Sequence, residues 1–256
     1  MIKMAICGAA GKMGSSIIRL SALDNELEIA FAVENVGNPA IGTGSPGITD
    51  DISKAVQSSD VIIDFTTPKA SIEHLVEALK NSKPVVIGTT GFSETEISEI
   101  KAASKKIPVV LTPNMSVGVN LLFKIAEEAA RIVPSYDVEI LELHHNQKKD
   151  APSGTAVKLL EIISKALGRD HKKAGVFGRQ GTPGTRSKDE IGVMAIRAGD
   201  IVGEHTVYFA GPGERIELTH RAHSRDTLAA GALRAGKWIY GKNPGLYDMQ
   251  DVLGLK

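Results

Sequence analysis

Ile2-Lys3-Met4-Ala5-Ile6-Cys7, followed at once by Gly8-Ala9-Ala10-Gly11-Lys12-Met13-Gly14, is the stretch on which the fold turns. A short apolar run of strand type enters a turn with glycines spaced G-x-x-G-x-x-G, and a helical pattern follows from about Lys12 to Ala22. The commoner spacing is G-x-G-x-x-G, but the physical logic is shared. Glycine permits a tight turn and close backbone approach to a pyrophosphate, and the helix N-terminus offers free N–H groups and a positive dipole end. The plain alternative is a glycine-rich β-to-α turn with no ligand. Glu34 favours the ligand: it closes a second strand, Leu27–Val33, twenty residues after Gly14, where a carboxylate can accept from an adenosine ribose. A carboxylate there favours NAD over NADP, whereas Lys12 in the loop could reach a 2′-phosphate, so both NADH and NADPH stay open.

Outward from this stretch the chain alternates. Strand patterns at Val61–Phe65, Pro84–Gly88 and Ile107–Leu111 are separated by helical ones at Pro68–Lys80 and Ser93–Ser104. Short buried strands alternating with helices of ten to fifteen residues indicate βαβ units on a parallel sheet with right-handed crossovers. The expected fold is α/β, a Rossmann-like doubly wound parallel sheet. Asp64-Phe65-Thr66, Gly88-Thr89-Thr90-Gly91 and Thr112-Pro113-Asn114-Met115 end its strands, on the edge where such sheets take ligands. Thr and Asn there can hydrogen-bond a nicotinamide carboxamide or ribose.

After Pro113 the pattern changes. A long amphipathic helix spans Val117–Ile132, a strand Val138–Leu143 alternates, and another helix covers about Ser153–Leu167. Some twenty residues from Arg169 to Lys188, rich in Gly, Lys, Arg and Thr, suggest a mobile functional loop. Strand patterns at Ile191–Arg197, His205–Ala210 and Glu214–Arg221 follow, the last two joined by Gly211-Pro212-Gly213, and a helix covers about Thr227–Ile239. The expectation is a second α+β domain on a mixed sheet. The dinucleotide-binding domain would comprise 1–114 plus 226–256, and the substrate-binding and oligomerisation domain 115–225.

Composition narrows the function. In 256 residues, 30 Lys+Arg balance 30 Asp+Glu, so the surplus of cations that a general nucleic-acid binder needs is missing. Aromatic residues make up 4%, too few for stacking platforms. No apolar run of about 18 residues suggests a membrane span. The start, Met1-Ile2-Lys3-Met4, enters a strand directly and does not read as a signal peptide. One cysteine, Cys7, allows neither an intrachain disulfide nor a cysteine metal site and fits a reducing cytoplasm.

The densest polar stretch is Glu142-Leu143-His144-His145-Asn146-Gln147-Lys148-Lys149-Asp150-Ala151-Pro152-Ser153-Gly154-Thr155. Imidazole titrates near neutrality and suits proton transfer. Lys148 can present an ammonium or deliver a proton to a substrate nitrogen. Ser153-Gly154-Thr155 opens a helix whose N-terminus can hold a carboxylate. A solvated His pair is the plain alternative. Half a metal site is another, opposed by the lack of nearby Cys or of an H-x-x-x-H pairing. Residues 144–225 carry 14 Lys/Arg against 9 Asp/Glu, a surplus that suits a small anionic substrate.

Taken together these segments resemble the 4-hydroxy-tetrahydrodipicolinate reductases (long called dihydrodipicolinate reductases) of the diaminopimelate route to lysine. The likeness runs along nearly the whole chain. It includes the glycine loop, Ile63-Asp64-Phe65-Thr66, Val86-Ile87-Gly88-Thr89-Thr90-Gly91-Phe92, Asn114-Met115-Ser116-Val117-Gly118-Val119-Asn120 and Arg197-Ala198-Gly199-Asp200-Ile201-Val202-Gly203-Glu204-His205. The run H-H-x-x-K-x-D-A-P-S-G-T, His144 to Thr155, is the most specific part. The resemblance implies His144 as proton donor and acceptor, Lys148 as second catalytic residue, His145 in substrate binding, and Gly154 and Thr155 on a substrate carboxylate. It implies a nicotinamide cofactor on Gly8, Ala9, Ala10, Gly11, Lys12, Met13, Glu34, Gly88, Thr89, Thr90, Thr112, Pro113, Asn114 and Met115. It further implies a dicarboxylate substrate in a crevice between the domains, closure during catalysis, and a homotetramer built on the second sheet; no metal is expected, on the residue grounds above. One departure is Asn35, where several relatives carry an Arg that can meet a 2′-phosphate. Two rivals remain: another two-domain NAD(P)-dependent dehydrogenase of a small amino or keto acid, and a non-catalytic nucleotide-redox sensor.

Overall fold

Strand β1 (Ile2–Cys7) alternates its side chains between two apolar layers. Met4 and Ile6 enter one buried cluster, Ala5 and Cys7 another, which marks a strand covered on both faces. The computed structural model describes all 256 residues, in two compact units: Met1–Val117 with Arg225–Lys256, and Gly118–Ser224.

In the first unit β1 is followed by α1 (Lys12–Ser21), β2 (Leu27–Val33), β3 (Ile48–Thr49), α2 (Ile52–Gln57), β4 (Val61–Asp64), α3 (Pro68–Lys80), β5 (Val85–Ile87), α4 (Glu94–Ser104) and β6 (Pro108–Leu111). The strands pair in parallel in the order β6-β5-β4-β1-β2-β3. The order reverses between β1 and β4, so the carboxyl ends of these two strands flank the switch point. Gly8 follows β1 there, and Phe65 and Thr66 follow β4.

The second unit contains α5 (Val117–Ile132) from its second residue on, β7 (Asp137–His144), α6 (Gly154–Ala166), α7 (His171–Ala174), β8 (Gly175–Val176), β9 (Ile191–Arg197), β10 (Gly203–Gly211) and β11 (Glu214–Ala222). Its five-stranded sheet runs β11-β10-β7-β9-β8. β7 lies antiparallel to β10 and parallel to β9. One face packs on α5 and α6 through Phe123, Ala126, Leu159 and Ile163 against Val138, Ile140, Val193, Val207 and Phe209. The chain then forms α8 (Asp226–Ile239), β12 (Gly245–Tyr247) and α9 (Met249–Leu253). β12 extends the first sheet beside β6, giving seven strands, and Ala232, Leu233 and Ile239 of α8 join the same cluster as Met4 and Ile6. No helix is long and apolar enough to cross a membrane.

Both sheets agree with the fold expected from the sequence. The small elements β3, α2, α7, β8, β12 and α9 were not expected. They have two to six residues, too short for a periodic pattern to develop. The segment 169–188 is also more tethered than its composition suggested. Arg179 donates to both carboxylate oxygens of Glu139 (3.0 and 2.8 Å) and to Glu190. Arg186 reaches Asp137, Glu139 and the carbonyls of Val138 and Glu190. Two of its guanidinium groups are spent on fastening it to β7 and to Glu190.

Candidate active site

The rows of side chains that face the core of the second sheet change character at one end. On β7, Val138 and Ile140 give way to Glu142 and His144; on β9, Ile191 and Val193 to Ala195 and Arg197; on β10, Phe209 and Val207 to His205 and Gly203. Register aligns these ends: His144 pairs with Arg197, and Glu142 with His205. Because a strand repeats every two residues, the stripe that builds the core also delivers a polar cluster where the core runs out.

Glu142 is the hub. It is fully buried, and its two carboxylate oxygens accept four hydrogen bonds. Arg197 donates to both, at 3.0 and 2.8 Å, the Ser153 N–H donates to Oε1 at 3.1 Å, and the His144 ring meets Oε2 through Nδ1. Burial raises the pKa of this carboxyl. Arg197, His144 and the Ser153 N–H more than reverse that, and the net direction is down. The pKa of His144 is also lowered: burial lowers it most, Lys148 and Arg197 add to the lowering, and Glu142 only partly offsets them. The pair is thus a neutral imidazole donating to a carboxylate rather than an ion pair.

His205 stands edge-on to His144, ring centres 5.2 Å apart. Burial drives its pKa down to about 3, so it is neutral at pH 7. Its Nε2 contacts the Ser153 hydroxyl at 3.1 Å, and that oxygen also caps α6 by accepting from the Ala156 N–H. Glu142, His144 and His205 bring potential ligand atoms within 4.8 Å of one another. Both oxygens of Glu142 already face Arg197, however, which makes the group a hydrogen-bonded network with a cation in place.

The turn after β7 is tied to the turn after β9 by Ala198 N–H to the His144 carbonyl (2.9 Å) and Asn146 N–H to the Gly199 carbonyl (3.1 Å). It sets Lys148 close enough to lower the pKa of His144, and Lys148 Nζ pairs with Asp150 at 2.8 Å. That bond holds the Asp150 carboxyl below its ordinary range. His145 is half-buried in the same turn. Ser153 turns inward with its N–H and hydroxyl both engaged, while Gly154 is exposed and Thr155 half-exposed at the start of α6. Gly154 and Thr155 form the first turn of the helix that Ser153 caps.

The first unit has the cradle of a dinucleotide. Gly8 has φ +81°, and a Cβ on it would lie 2.3 Å from the Phe65 carbonyl oxygen. A Cβ on Gly14 would lie 2.2 Å from the Gly8 carbonyl oxygen, so glycine is what lets α1 close on the turn. Gly11 begins α1 with no side-chain cap, leaving the helix start to a ligand or solvent. Ala10, Gly11 and Lys12 are exposed, Ala9 is buried, and Met13 packs partly on the core. Glu34 bends over the turn: Oε1 accepts from the Ala10 N–H at 2.8 Å, and Oε2 from the Asn35 N–H and the Asn38 amide. These residues fit a dinucleotide.

The other strand ends are organised from within. Asp64 is buried. Its Oδ1 accepts from the Thr66 N–H, the Thr66 hydroxyl and the Thr89 hydroxyl, and its Oδ2 meets His74 Nδ1 at 2.6 Å. The Thr112 hydroxyl donates to the Asn114 carbonyl. Thr89 and Thr112 thus spend their side chains on shaping the turns. Thr90 and Pro113 are exposed, Gly88 and Asn114 half-buried, and Met115 lies in the core. Burial, together with the Asp64 charge, pushes the Cys7 thiol well up, leaving it inert.

Sequence reading missed the roles of Glu142, Arg197, Gly203 and His205, although all four lie in stretches it singled out. The available signal was parity. Each continues an alternating apolar strand pattern with a polar residue or glycine on the buried side.

Comparison with known proteins agrees with this geometry. Family models described as "Dihydrodipicolinate reductase, N-terminus" and "Dihydrodipicolinate reductase, C-terminus" match residues 2–115 and 118–253. The chain is 52% identical to proteins of Geotalea uraniireducens (strain Rf4) and Trichlorobacter lovleyi named 4-hydroxy-tetrahydrodipicolinate reductase, with both chains covered in full. Among solved structures, a dipicolinate-bound dihydrodipicolinate reductase from Paenisporosarcina sp. TG-14 superposes with a TM-score of 0.80 at 26% identity, covering 98% of each chain. A buried acid–base cluster on one sheet, a dinucleotide cradle on the other, and these matches along the whole length place the chain in the dihydrodipicolinate reductase family.

Proposed function

We propose that this chain reduces 4-hydroxy-2,3,4,5-tetrahydrodipicolinate, with loss of water, to 2,3,4,5-tetrahydrodipicolinate in lysine and diaminopimelate biosynthesis. The observation that carries the reading is the His144–Lys148 turn. It carries a neutral imidazole together with Lys148, and Glu142 ties His144 to Ser153, the N-cap of α6, in a chain with full-length reductase relatives. The reaction needs a hydride, a proton and a grip on two carboxylates. Bound dihydronicotinamide supplies the hydride, and the protein supplies binding, orientation and protons.

Lys148 holds positive charge at the substrate ring nitrogen, which gathers electrons as the conjugated imine is reduced. His144 exchanges a proton with the ring through Nε2. Gly154 and Thr155 offer the N–H groups of the α6 start, and a hydroxyl, to one carboxylate. His145 lies in the same turn as a further donor. Ser153 supports this arrangement from behind through its bonds to Glu142 and His205. Gly8 to Met13, Glu34, Gly88 to Thr90 and Thr112 to Met115 hold the nucleotide, chiefly through backbone groups where the hydroxyls are already engaged. Glu34 supports NADH, and NADPH use would fall to Lys12. The partly exposed residues Leu141, Leu143, Met194, Ile196 and Tyr208 lie on the sheet face opposite α5 and α6. They support self-association, in line with a cytoplasmic homotetramer.

The test is a coupled assay in which the preceding synthase makes the substrate from pyruvate and aspartate semialdehyde, with absorbance of NADH and NADPH followed separately. Oxidation that depends on the synthase is expected. Binding of nucleotide without turnover would overturn the reading in favour of a redox sensor, and turnover of an amino or keto acid instead would favour another dehydrogenase.

A further inference from the structure

His144 sits in a shell of charged and titratable groups, each from a different segment. Glu142 precedes it on β7, Arg197 lies opposite on β9, His205 faces it from β10, and Lys148, paired with Asp150, follows in the next turn. Two features of this shell concern the ring nitrogens separately. A carboxylate that bears no proton can only accept, so Glu142 requires the hydrogen of neutral His144 to be on Nδ1. Nε2 then carries the free lone pair, next to Gly203, where a Cβ would come within 3.1 Å of it. Glycine on β10 leaves that nitrogen unobstructed.

We propose that Glu142, locked by Arg197, is a positioning residue that fixes the tautomer of His144 and so makes Nε2 the proton-exchanging atom. The proposal rests on the reading of His144 as the acid–base group. Arg197 contributes in two ways. Its two N–H groups hold the carboxylate plane, and its charge keeps Glu142 ionised although that side chain has no exposure to water. Without Arg197, a buried carboxylate beside an imidazole would draw a proton onto the pair.

The isosteric change Glu142→Gln tests this directly. Its amide must point an NH₂ either at Ser153 N–H and one Arg197 N–H, or at His144 and the other Arg197 N–H. The backbone donor cannot change, but His144 can accept by moving its proton to Nε2. The second arrangement is therefore favoured, and the tautomer inverts.

The experiment is 15N NMR of the histidine-labelled full chain, combined with pH profiles of kcat and KM. In the wild type at pH 7.5, His144 Nδ1 should show the shift of a protonated nitrogen and Nε2 that of a free one. In Glu142→Gln these should exchange. The value of kcat should fall at least 100-fold, NADH affinity should stay within twofold, and the His144 limb should move to lower pH. Glu142→Asp, which keeps an acceptor, should retain the wild-type tautomer and recover part of kcat. Arg197→Met should move the limb the other way, to higher pH, because it removes a cation and leaves a more basic carboxylate. A stability defect alone would not move the two limbs in opposite directions. A wild-type ring protonated at Nε2, or an unchanged tautomer in Glu142→Gln, would overturn the proposal. If the tautomer inverts as expected while Glu142→Gln and His144→Ala keep full activity, Glu142 still sets the tautomer, but the acid–base reading of His144 fails and with it Nε2 as the proton-exchanging atom.

Discussion

His144 and Lys148 share one turn, and each works against a neighbour. His144 donates to the ionised Glu142, and Lys148 is paired with Asp150 at 2.8 Å. Proton transfer by a positioned side chain typically contributes about 10²–10⁴-fold. His144→Ala and Lys148→Ala should each lower kcat by that order in the coupled assay, with NADH affinity by fluorescence titration unchanged. A loss of cofactor affinity as large as the loss of kcat would remove both residues from the chemistry. In the first unit the Glu34 carboxylate leans over the glycine turn onto the Ala10 N–H, where the proposed nucleotide site would meet it. A negative charge there repels a 2′-phosphate, and the exposed Asn35 next to it cannot neutralise one. Asn35→Arg supplies a guanidinium at that point, and the ratio of kcat/KM for NADPH to that for NADH should rise about tenfold or more, as one charge-assisted contact implies. An unchanged ratio would mean that the 2′-position lies elsewhere.

Among the elements, α6 shows how a helix start can serve two purposes. Ser153 is its N-cap, accepting from Ala156, but the same hydroxyl reaches His205 and the same residue's N–H reaches Glu142. Ser153→Ala keeps the N–H and loses the cap, which alone costs about 1 kcal/mol, and leaves the buried His205 Nε2 without a partner. Denaturant unfolding should show a loss of about 2 kcal/mol, with the Glu142–His144 contact intact and kcat reduced far less than by His144→Ala. A fall in kcat as large as that of His144→Ala would assign Ser153 to the chemistry itself. Strand ends in the first unit follow a similar plan. Asp64 gathers Thr66, Thr89 and His74 so that two turns beside the switch point keep one shape. The alternation of strands and helices was legible from periodicity. The inward use of Thr89 and Thr112 was not, because a threonine after a strand has the same sequence signature whether its hydroxyl faces a ligand or its own backbone.

For the molecule as a whole, the buried histidines of the second unit set its response to acid. The folded-state pKa of His205 is about 3, far below the 6.5 of a free imidazole. The unfolded chain therefore takes up a proton below pH 6.5 that the folded chain refuses, and stability present above that pH is lost as pH falls. Between pH 6.5 and pH 5 this amounts to about 2 kcal/mol, one proton over one and a half pH units. His144 and His220, also lowered chiefly by burial, add in the same direction. Glu142, whose pKa is lowered, adds a further loss once pH drops through the carboxylate range. Urea midpoints measured from pH 7.5 to 5 should fall steadily, and His205→Asn should flatten the slope. A midpoint independent of pH across that range would show that His205 protonates freely in the folded state.

The parallel sheet, the glycine turn and the polar run from His144 to Thr155 can be read from consecutive residues, because these features are local. Period-two and period-3.6 patterns, a glycine that must approach a neighbouring backbone, and a helix start after proline are written in consecutive residues. Tertiary structure decided which of the polar residues act together. Glu142, Arg197 and His205 are up to 63 positions apart, and they meet only because β7 pairs with β9 and β10 in a register that aligns the ends of their buried stripes. Once those ends are aligned, low exposure and one guanidinium set the charge of Glu142, and that charge sets the proton on His144. Strand register is a long-range pairing choice, and the electrostatics of the site follow from it.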